Sequence, residues 1–313
     1  MVIYHYPFNE KQNIPDCVLA LGFFDGVHIA HRDLIVSAKA EADRLGVKLG
    51  IFTFASKSEI KIRAQRLYDD HEKAEIFASL GADFTVYADF SAISGASAEE
   101  FVKEMLVKDL SCKACVAGFN FRFSKGAGAG AKELTQLMSE TGGKAIICNE
   151  IRGEGDVTLS ATLIRGLIIS GEIKKANKHL GAPYYIKGRV SHGRQVGRTI
   201  GFPTVNIAIG EDKILPRPGV YYTVVPIDSK IYRAVTNVGS CPTFGQRQVH
   251  LEAHIIDYQG DLYDRELQVF LLDFIREERT FASAEELIAQ INIDKNRVKN
   301  ENGDITWQEL GLN

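Results

Sequence analysis

Short apolar runs alternate with segments of helical pattern over residues 1–180. Runs typical of buried strands lie at 18–24, 49–54, 84–87, 114–117 and 145–148. Spacings typical of helices lie between them, at 29–45, 70–80, 97–109 and 131–140. This alternation predicts βαβ units, and hence an α/β domain with a Rossmann-like parallel sheet and helices on both faces. In such sheets, ligands bind beyond the carboxyl ends of the strands.

The pattern changes after residue 181. From 184 to about 274, the chain has short β-rich runs separated by glycine, proline and asparagine. This spacing predicts an antiparallel barrel or sandwich, and a helical pattern follows at 283–291. The change places a domain boundary near 181–184, so we expect domains at 1–182 and 183–313.

The composition narrows the classes of partner. The 313 residues carry a formal net charge of −3, which gives no sign of a nucleic-acid partner. No stretch has the apolar length of a membrane span, and the first eight residues lack the features of a signal peptide. The five cysteines are scattered, which fits a reducing cytoplasm better than a disulfide framework. We therefore expect small-molecule partners in the cytoplasm; self-association is left open.

The stretch from Gly22 to His31 combines a strand end, a glycine-flanked turn and a helix start. His28 and His31 are three residues apart, so on a helix they share one face. Free N–H groups and the helix dipole at such an end suit a phosphate, to which imidazoles can donate hydrogen bonds. This arrangement predicts a nucleotide site, although a plain βα unit with surface histidines fits the spacing equally well.

Two further segments have the same double interpretation. The loop 118–130 contains alternating glycines, which allow close approach to phosphates but also suit a mobile lid without ligand. Thr162 and Arg165 lie three apart at a predicted helix start, with Ser160 as its N-cap. They could contact a triphosphate. Equally, they could be a helix start and a solvated arginine.

The second half carries a polar set of its own. The segment 192–206 is dense in glycine and arginine, and it enters a strand that holds Thr204 and Asn206 on one face. Their oxygens are neutral ligands that could hold Mg²⁺ together with phosphate oxygens and water. Glu252 lies in an apolar strand pattern and is a candidate general base. The alternatives are ordinary capping residues and a solvent-facing carboxylate.

Together these motifs resemble the prokaryotic bifunctional riboflavin kinase/FMN adenylyltransferase family, also called FAD synthetase. The residues GFFDGVH at 22–28, with His31, look like its nucleotidyltransferase signature. The residues GFPTVN at 201–206 look like its riboflavin kinase signature. The blocks 251–254, 257–263 and 275–281 are also similar, and the resemblance extends from about residue 15 to residue 295.

The resemblance implies a nucleotidyltransferase-like domain followed by a riboflavin kinase β-barrel with a C-terminal helix. The barrel would phosphorylate riboflavin to FMN with ATP. Glu252 would be its base, and Thr204 and Asn206 its Mg²⁺ ligands. The glycine-rich segment would cover the ATP phosphates, and two arginines would close over the flavin. The residues implied for these two tasks are Gly193, Arg198 and Gly201 for ATP, and Arg276 and Arg279 for flavin.

The resemblance also implies that the first domain transfers AMP from ATP to FMN, which gives FAD. His28 and His31 would be catalytic there. The residues implied to bind ATP are Gly22, Phe24, Asp25, Asn120, Thr162 and Arg165.

The first domain departs from the family pattern at several functional places. Ala30 replaces a glycine between the histidines, and Ala161 and Leu163 replace a serine and an arginine beside Thr162. These changes predict a weakened adenylyltransferase. A kinase with a degenerate transferase domain is therefore one alternative, and a non-catalytic flavin-binding regulator is another. The intact set of Thr204, Asn206 and Glu252 speaks against the regulator, because a binding protein needs no base.

Overall fold

The computed structural model describes residues 1–10, 12–55, 65–192, 197, 200–210, 212–243 and 246–312. The chain divides into two compact units, Met1–Ser160 and Ala161–Asn313. Within the described ranges, no helix is both long enough and apolar enough to cross a bilayer.

The first unit is built on a six-stranded sheet in which every neighbouring pair is parallel. Its strands are β1 (Val2–Tyr6), β2 (Cys17–Leu21), β3 (Lys48–Phe54), β4 (Phe84–Ala88), β5 (Cys112–Gly118) and β6 (Lys144–Cys148). Their order is β1-β4-β3-β2-β5-β6, which places β2 beside β5 in the middle of the sheet. The predicted parallel α/β sheet is confirmed.

Helices connect these strands. They are α1 (Ile29–Leu45), α2 (Asp70–Ser79), α3 (Phe90–Ile93), a π-helix (Glu100–Asp109) and α4 (Ala131–Glu140). Local sequence signals set several ends. Gly46 ends α1 in a left-handed conformation, and Asp69 opens α2 with a capping box to Glu72. Ser97 and Glu100 exchange the two hydrogen bonds of a capping box at the start of the π-helix.

The second unit is a closed antiparallel barrel preceded by a helical hairpin and followed by one long helix. The hairpin consists of α5 (Ala161–Ile169) and α6 (Ile173–Leu180). Two short strands of the first unit, β7 (Arg152–Gly153) and β8 (Val157–Thr158), precede this hairpin. The barrel strands are β9 (Tyr185–Ser191), β10 (Val205–Ala208), β11 (Gly219–Ile227), β12 (Lys230–Thr243), β13 (Gln246–Ile255) and β14 (Glu266–Arg276). The long helix α7 (Ala284–Lys299) follows them. Strand order around the barrel is β10-β13-β12-β11-β14-β9.

The hairpin belongs with the barrel in this structure. The side chain of Asn177 on α6 donates to the carbonyl of Leu271 at 2.8 Å and accepts from the amide of Tyr184 at 2.8 Å. The compact units therefore divide between residues 160 and 161. A boundary of the functional domains at 182/183 stays a prediction.

Alternation along the barrel strands separates two faces. Leu251 and Ala253 are fully buried, as are Thr223 and Thr236, whose hydroxyls lie 2.6 Å apart inside the barrel. Glu252 alternates with Leu251 and Ala253, so it lies on the outer face. The C-terminal end of α7 is fixed to this outer face by Arg233 of β12, whose guanidinium donates to the carbonyls of Val298 and Lys299.

Candidate active sites

The turn after β2 is held tightly at the carboxyl edge of the parallel sheet. The amide of Gly22 donates to the carbonyl of Phe52 at 3.2 Å, and the hydroxyl of Thr53 donates to the carbonyl of Phe23 at 3.0 Å. Phe24 and Val27 have φ values of 47° and 41°, in the left-handed region that is unfavourable for these side chains. Both side chains are fully buried, so packing enforces this backbone and delivers the chain to His28 in a fixed direction.

His28 and His31 meet at the start of α1. Their rings stack with centroids 3.7 Å apart and planes inclined by 14°. Burial lowers the pKa of His31 well below its usual value, and the neighbouring His28 lowers it further. The stack therefore favours a neutral His31 imidazole, which has one N–H to donate. The prediction that the two side chains share one face is confirmed by their contact.

Asn120 lies at the same sheet edge, because β5 is the neighbour of β2. Its amide oxygen lies over Gly118, where a Cβ would approach it to 3.4 Å. The first-turn amides of α1 also face this edge, and Asp25 lies half-buried in the turn before them. Thus the structure brings Gly22, Phe24, Asp25, His28, His31 and Asn120 to one region.

Thr162 and Arg165 lie in the first turns of α5, with Thr162 exposed and Arg165 half-buried. This helix belongs to the second compact unit. Their place in the nucleotide site therefore stays a prediction.

A row of polar side chains crosses the outer face of the barrel. Asn206 on β10 is paired with Glu252 on β13, and Glu252 is paired with Asn237 on β12. Directly paired residues project to the same side of a sheet, so these three side chains are neighbours. The register thus gives a carboxylate with an amide on each side.

A cavity of about 340 Å³ covers Glu252 and Asn237 of this row, between the outer face, α7 and the segment before β10. Its polar wall includes Asn237, Glu252 and Glu278, and its apolar wall includes Phe202, Leu287 and Ile291. A mostly apolar cavity of this size with a few polar groups suits a small aromatic molecule.

Thr204 joins this cavity to a second one. The second cavity, of about 540 Å³, lies at one end of the barrel and is lined by Pro203, Thr204, Val205 and the loop 258–263. Thr204 lines both cavities and immediately precedes β10. A molecule in each cavity would therefore meet its partner beside Thr204.

Arg276 and Arg279 line the outer-face cavity together with Phe281. Arg276 donates to the buried carboxylate of Asp294 at 2.9 Å, and Arg279 bonds the side-chain oxygen of Gln290. The Arg279 guanidinium lies 4.7 Å from the centre of the Phe281 ring, so the strand end and α7 are tied together around an aromatic wall.

The oxygen donors beside these cavities are compatible with one kind of metal ion. The described residues contain no cluster of three His, Cys, Asp or Glu side chains that could hold one. Thr204 and Asn206 are neutral oxygen donors, so they fit a Mg²⁺ ion that keeps water and phosphate ligands. Gly193 and Arg198 lie outside the described residues, whereas Gly201 occupies a turn with φ of 85°.

The sequence reasoning missed several residues of these walls. His254 lines the outer-face cavity, and burial lowers its pKa. Asn237 donates to Glu278 at 3.1 Å. Asn237 lies in no motif that stands out locally, and Glu278 lies in the family-like block 275–281 without a role assigned to it. In the first unit, Phe23, Phe54 and Phe90 form an aromatic chain, with centroid distances of 5.9 and 5.6 Å. The signals available for His254 were the family-like block 251–254, which was not assigned a role, and period-two alternation after Glu252.

The comparisons with known proteins cover both units. A family model for riboflavin kinase matches residues 180–301, and one for FAD synthetase matches residues 10–162. The bifunctional riboflavin kinase/FMN adenylyltransferase of Listeria monocytogenes is 35% identical, over 89% of this chain and 90% of its own. The Escherichia coli protein of the same name is 34% identical over the same shares.

A solved structure also matches almost the whole chain. It is titled as a macrolide-efflux protein from Streptococcus pneumoniae and has a TM-score of 0.85 at 29% identity, covering 96% of this chain and all of the other. Two domain families in one order, and relatives above 30% identity along nearly the full length, agree with the two cavities and the histidine stack. The chain belongs to the bifunctional riboflavin kinase/FMN adenylyltransferase family.

Proposed function

We propose that the second unit transfers the γ-phosphoryl group of ATP to riboflavin and releases FMN. The observation that carries this proposal is the meeting of two cavities at Thr204, next to the paired Asn206 and Glu252. The cavity with the Phe281 wall receives the flavin, and the cavity at the barrel end receives ATP. Phosphoryl transfer needs the two substrates held in line with each other, and it needs little covalent chemistry from the protein.

Each residue of this site has a task. Glu252 takes the proton of the ribityl 5′-hydroxyl while the hydroxyl oxygen forms a bond to the γ-phosphorus of ATP. The bond between the γ-phosphorus and the leaving ADP breaks. Thr204 and Asn206 hold Mg²⁺, which when bound neutralises charge on the phosphates. Arg276 and Arg279 hold the flavin against α7. Gly193, Arg198 and Gly201 cover the phosphates, a task that rests on the family resemblance.

The first unit, we propose, adenylylates FMN to FAD with release of pyrophosphate. The α1 N-terminus and the stacked rings of His28 and His31 support this, because both can donate hydrogen bonds to a phosphoryl group. Gly22, Phe24, Asp25 and Asn120 form the nucleotide pocket of this unit, and the family resemblance implies ATP contacts by Thr162 and Arg165 as well. The exposed aromatic chain of Phe23, Phe54 and Phe90 offers the flavin a stacking surface.

A specific observation favours a second candidate. Ala30 lies in the first turn of α1, and Ala161 and Leu163 flank Thr162 on α5. Relative to the family pattern, Ala30 removes the flexibility of a glycine, and Ala161 and Leu163 remove the polar groups of a serine and an arginine. A riboflavin kinase with a slow transferase domain is therefore the alternative to two full activities.

One assay separates these candidates. Purified protein is incubated with riboflavin, ATP and Mg²⁺, and the flavins are resolved by chromatography. FAD supports two activities, whereas FMN alone supports the kinase with a slow or inactive transferase. Unchanged riboflavin would contradict both and favour a flavin-binding protein.

The setting we propose is the cytoplasm, in agreement with the free thiols of Cys17, Cys112, Cys115 and Cys148.

Replacing Glu252 tests the proposed base. Glu252→Gln keeps the shape of the side chain but cannot accept the hydroxyl proton, so FMN formation should fall by about 100-fold or more. Supplying FMN directly tests the other unit, and any FAD formation should be retained. Unchanged FMN formation by this variant would remove Glu252 from the base role.

A further inference from the structure

His254 lies on the same face of β13 as Glu252, two residues further along. It is 9% exposed, and its Nδ1 lies 2.9 Å from the carbonyl oxygen of Pro203. A carbonyl oxygen only accepts hydrogen bonds, so Nδ1 carries the hydrogen and donates it. The ring thus links the strand that holds Glu252 to the segment that holds Thr204.

The accepting carbonyl has a special position. The carbonyl of Pro203 and the amide of Thr204 belong to one planar peptide group, so fixing the first orients the second. This peptide precedes β10, which begins at Val205, and proline has no N–H to join a ladder. The hydrogen bond from His254 on β13 therefore fixes a peptide that lies before the first residue of β10.

Packing alone does not call for a histidine here. The ring packs edge-on against Phe202, with centroids 5.4 Å apart, and an apolar side chain could fill that space. Moreover, Nε2 is buried and has no hydrogen-bond partner among the described residues. A buried nitrogen without a partner is unfavourable. The gain that balances it is the bond that Nδ1 makes.

We propose that His254 is a positioning residue for phosphoryl transfer: its Nδ1–H holds the Pro203–Thr204 peptide so that Thr204 stays beside Glu252, between the two cavities. This proposal rests on the riboflavin kinase activity proposed above. The ring of His254 lines the flavin cavity, but in this role it contacts none of the reacting atoms. It acts through Thr204, and hence through the Mg²⁺-ATP that Thr204 holds.

Three substitutions separate the donor from the bulk of the ring. His254→Asn places an amide N–H near the position of Nδ1, whereas His254→Gln places it near Nε2, and His254→Leu removes it. We expect Leu and Gln to lower kcat for FMN formation by about tenfold and Asn to stay within about threefold, the effect of one neutral hydrogen bond. The Mg²⁺ concentration for half-maximal rate should rise in the same two variants and not in Asn.

The control is another buried histidine of the same unit. His179 on α6 is 6% exposed and lines neither cavity, so His179→Leu should leave kcat and the Mg²⁺ dependence unchanged for the folded protein. Thermal unfolding of every variant, followed by circular dichroism, shows whether lost activity is lost structure. Loss of stability alone would not move the Mg²⁺ dependence.

The outcomes are distinct. If wild-type protein makes FMN and His254→Leu matches it in kcat and Mg²⁺ dependence, the positioning role is wrong and the kinase proposal stands. If Asn is as impaired as Leu while both unfold at the wild-type temperature, the donor at Nδ1 is not the cause and the inference is overturned. If wild-type protein makes no FMN, the kinase proposal fails and takes the role of His254 with it.

Discussion

At the scale of single residues, the stacked pair of His28 and His31 gives a prediction about pH. The folded pKa of His31 is lowered well below its ordinary value by burial and by His28. His31 is therefore neutral at pH 6.5 and stays neutral for some distance below it, where an exposed histidine is already protonating. The rate of FAD formation from FMN should not fall near pH 6.5 on account of His31.

The check is the rate measured from pH 5.5 to 8 at saturating FMN and ATP. His31→Asn serves as the comparison, since asparagine keeps an N–H donor but does not titrate. A fall centred near pH 6.5 in the wild-type protein that disappears in His31→Asn would contradict a neutral His31.

Residue identity was predictable where a motif carries it. The pair of histidines and the set of Thr204, Asn206 and Glu252 stand out because polar groups interrupt apolar patterns at fixed spacing. His254 does not stand out, because its partner Pro203 is 51 residues away along the chain. Only the pairing of β10 with β13 brings them together.

At the scale of elements, a buried carboxylate links α1 to β6. Glu41 is 7% exposed and accepts from Arg44 at 2.8 Å and from Lys144 at 3.2 Å. These partners lower the pKa of Glu41 to about 2. Because the folded pKa lies below the unfolded one, this stabilisation is full above about pH 4.5 and is lost as the pH falls towards 2.

Replacing Glu41 therefore has a pH-dependent effect. Glu41→Gln should lower the free energy of unfolding at pH 7 by up to about 1 kcal/mol, since both partners are largely exposed. The difference from the wild-type protein should shrink towards pH 3. Urea unfolding at pH 7, 5 and 3 measures it, and a difference that stays constant with pH would rule out a contribution from the ionised carboxylate.

Several elements lay beyond the reach of sequence patterns. The edge strand β1 has strand-favouring residues, but they are exposed or half-exposed, so the search for buried runs missed it. The segment Glu100–Asp109 was expected as an ordinary helix and is a π-helix, which ends with the amide of Leu110 on the carbonyl of Met105. Its apolar spacing is helical in either case. The choice of barrel over sandwich needed the pairing of β9 with both β10 and β14.

At the scale of the whole molecule, the division into units predicts which residues a fragment must contain for the barrel to be stable. The hairpin α5–α6 buries Ile173, Ala176 and Leu180, and Asn177 satisfies a carbonyl of β14 and the amide before β9. A fragment of residues 161–313 keeps these contacts, whereas a fragment of residues 183–313 loses them. The shorter fragment should be less stable by roughly 2–4 kcal/mol, from lost apolar burial and hydrogen bonds.

Both fragments can be compared by thermal unfolding and by FMN formation. We expect 161–313 to convert riboflavin to FMN and to leave added FMN unchanged, because the histidine stack is absent. The fragment 183–313 should unfold at a lower temperature, and its kcat should fall where unfolding begins. Equal stability of the two would mean that the hairpin does not support the barrel, and the functional boundary would then lie at 182/183, where the change in sequence pattern places it. If the barrel instead depends on the hairpin, the residues that stabilise it lie before the change in pattern, in a segment whose helical pattern resembles that of the first domain.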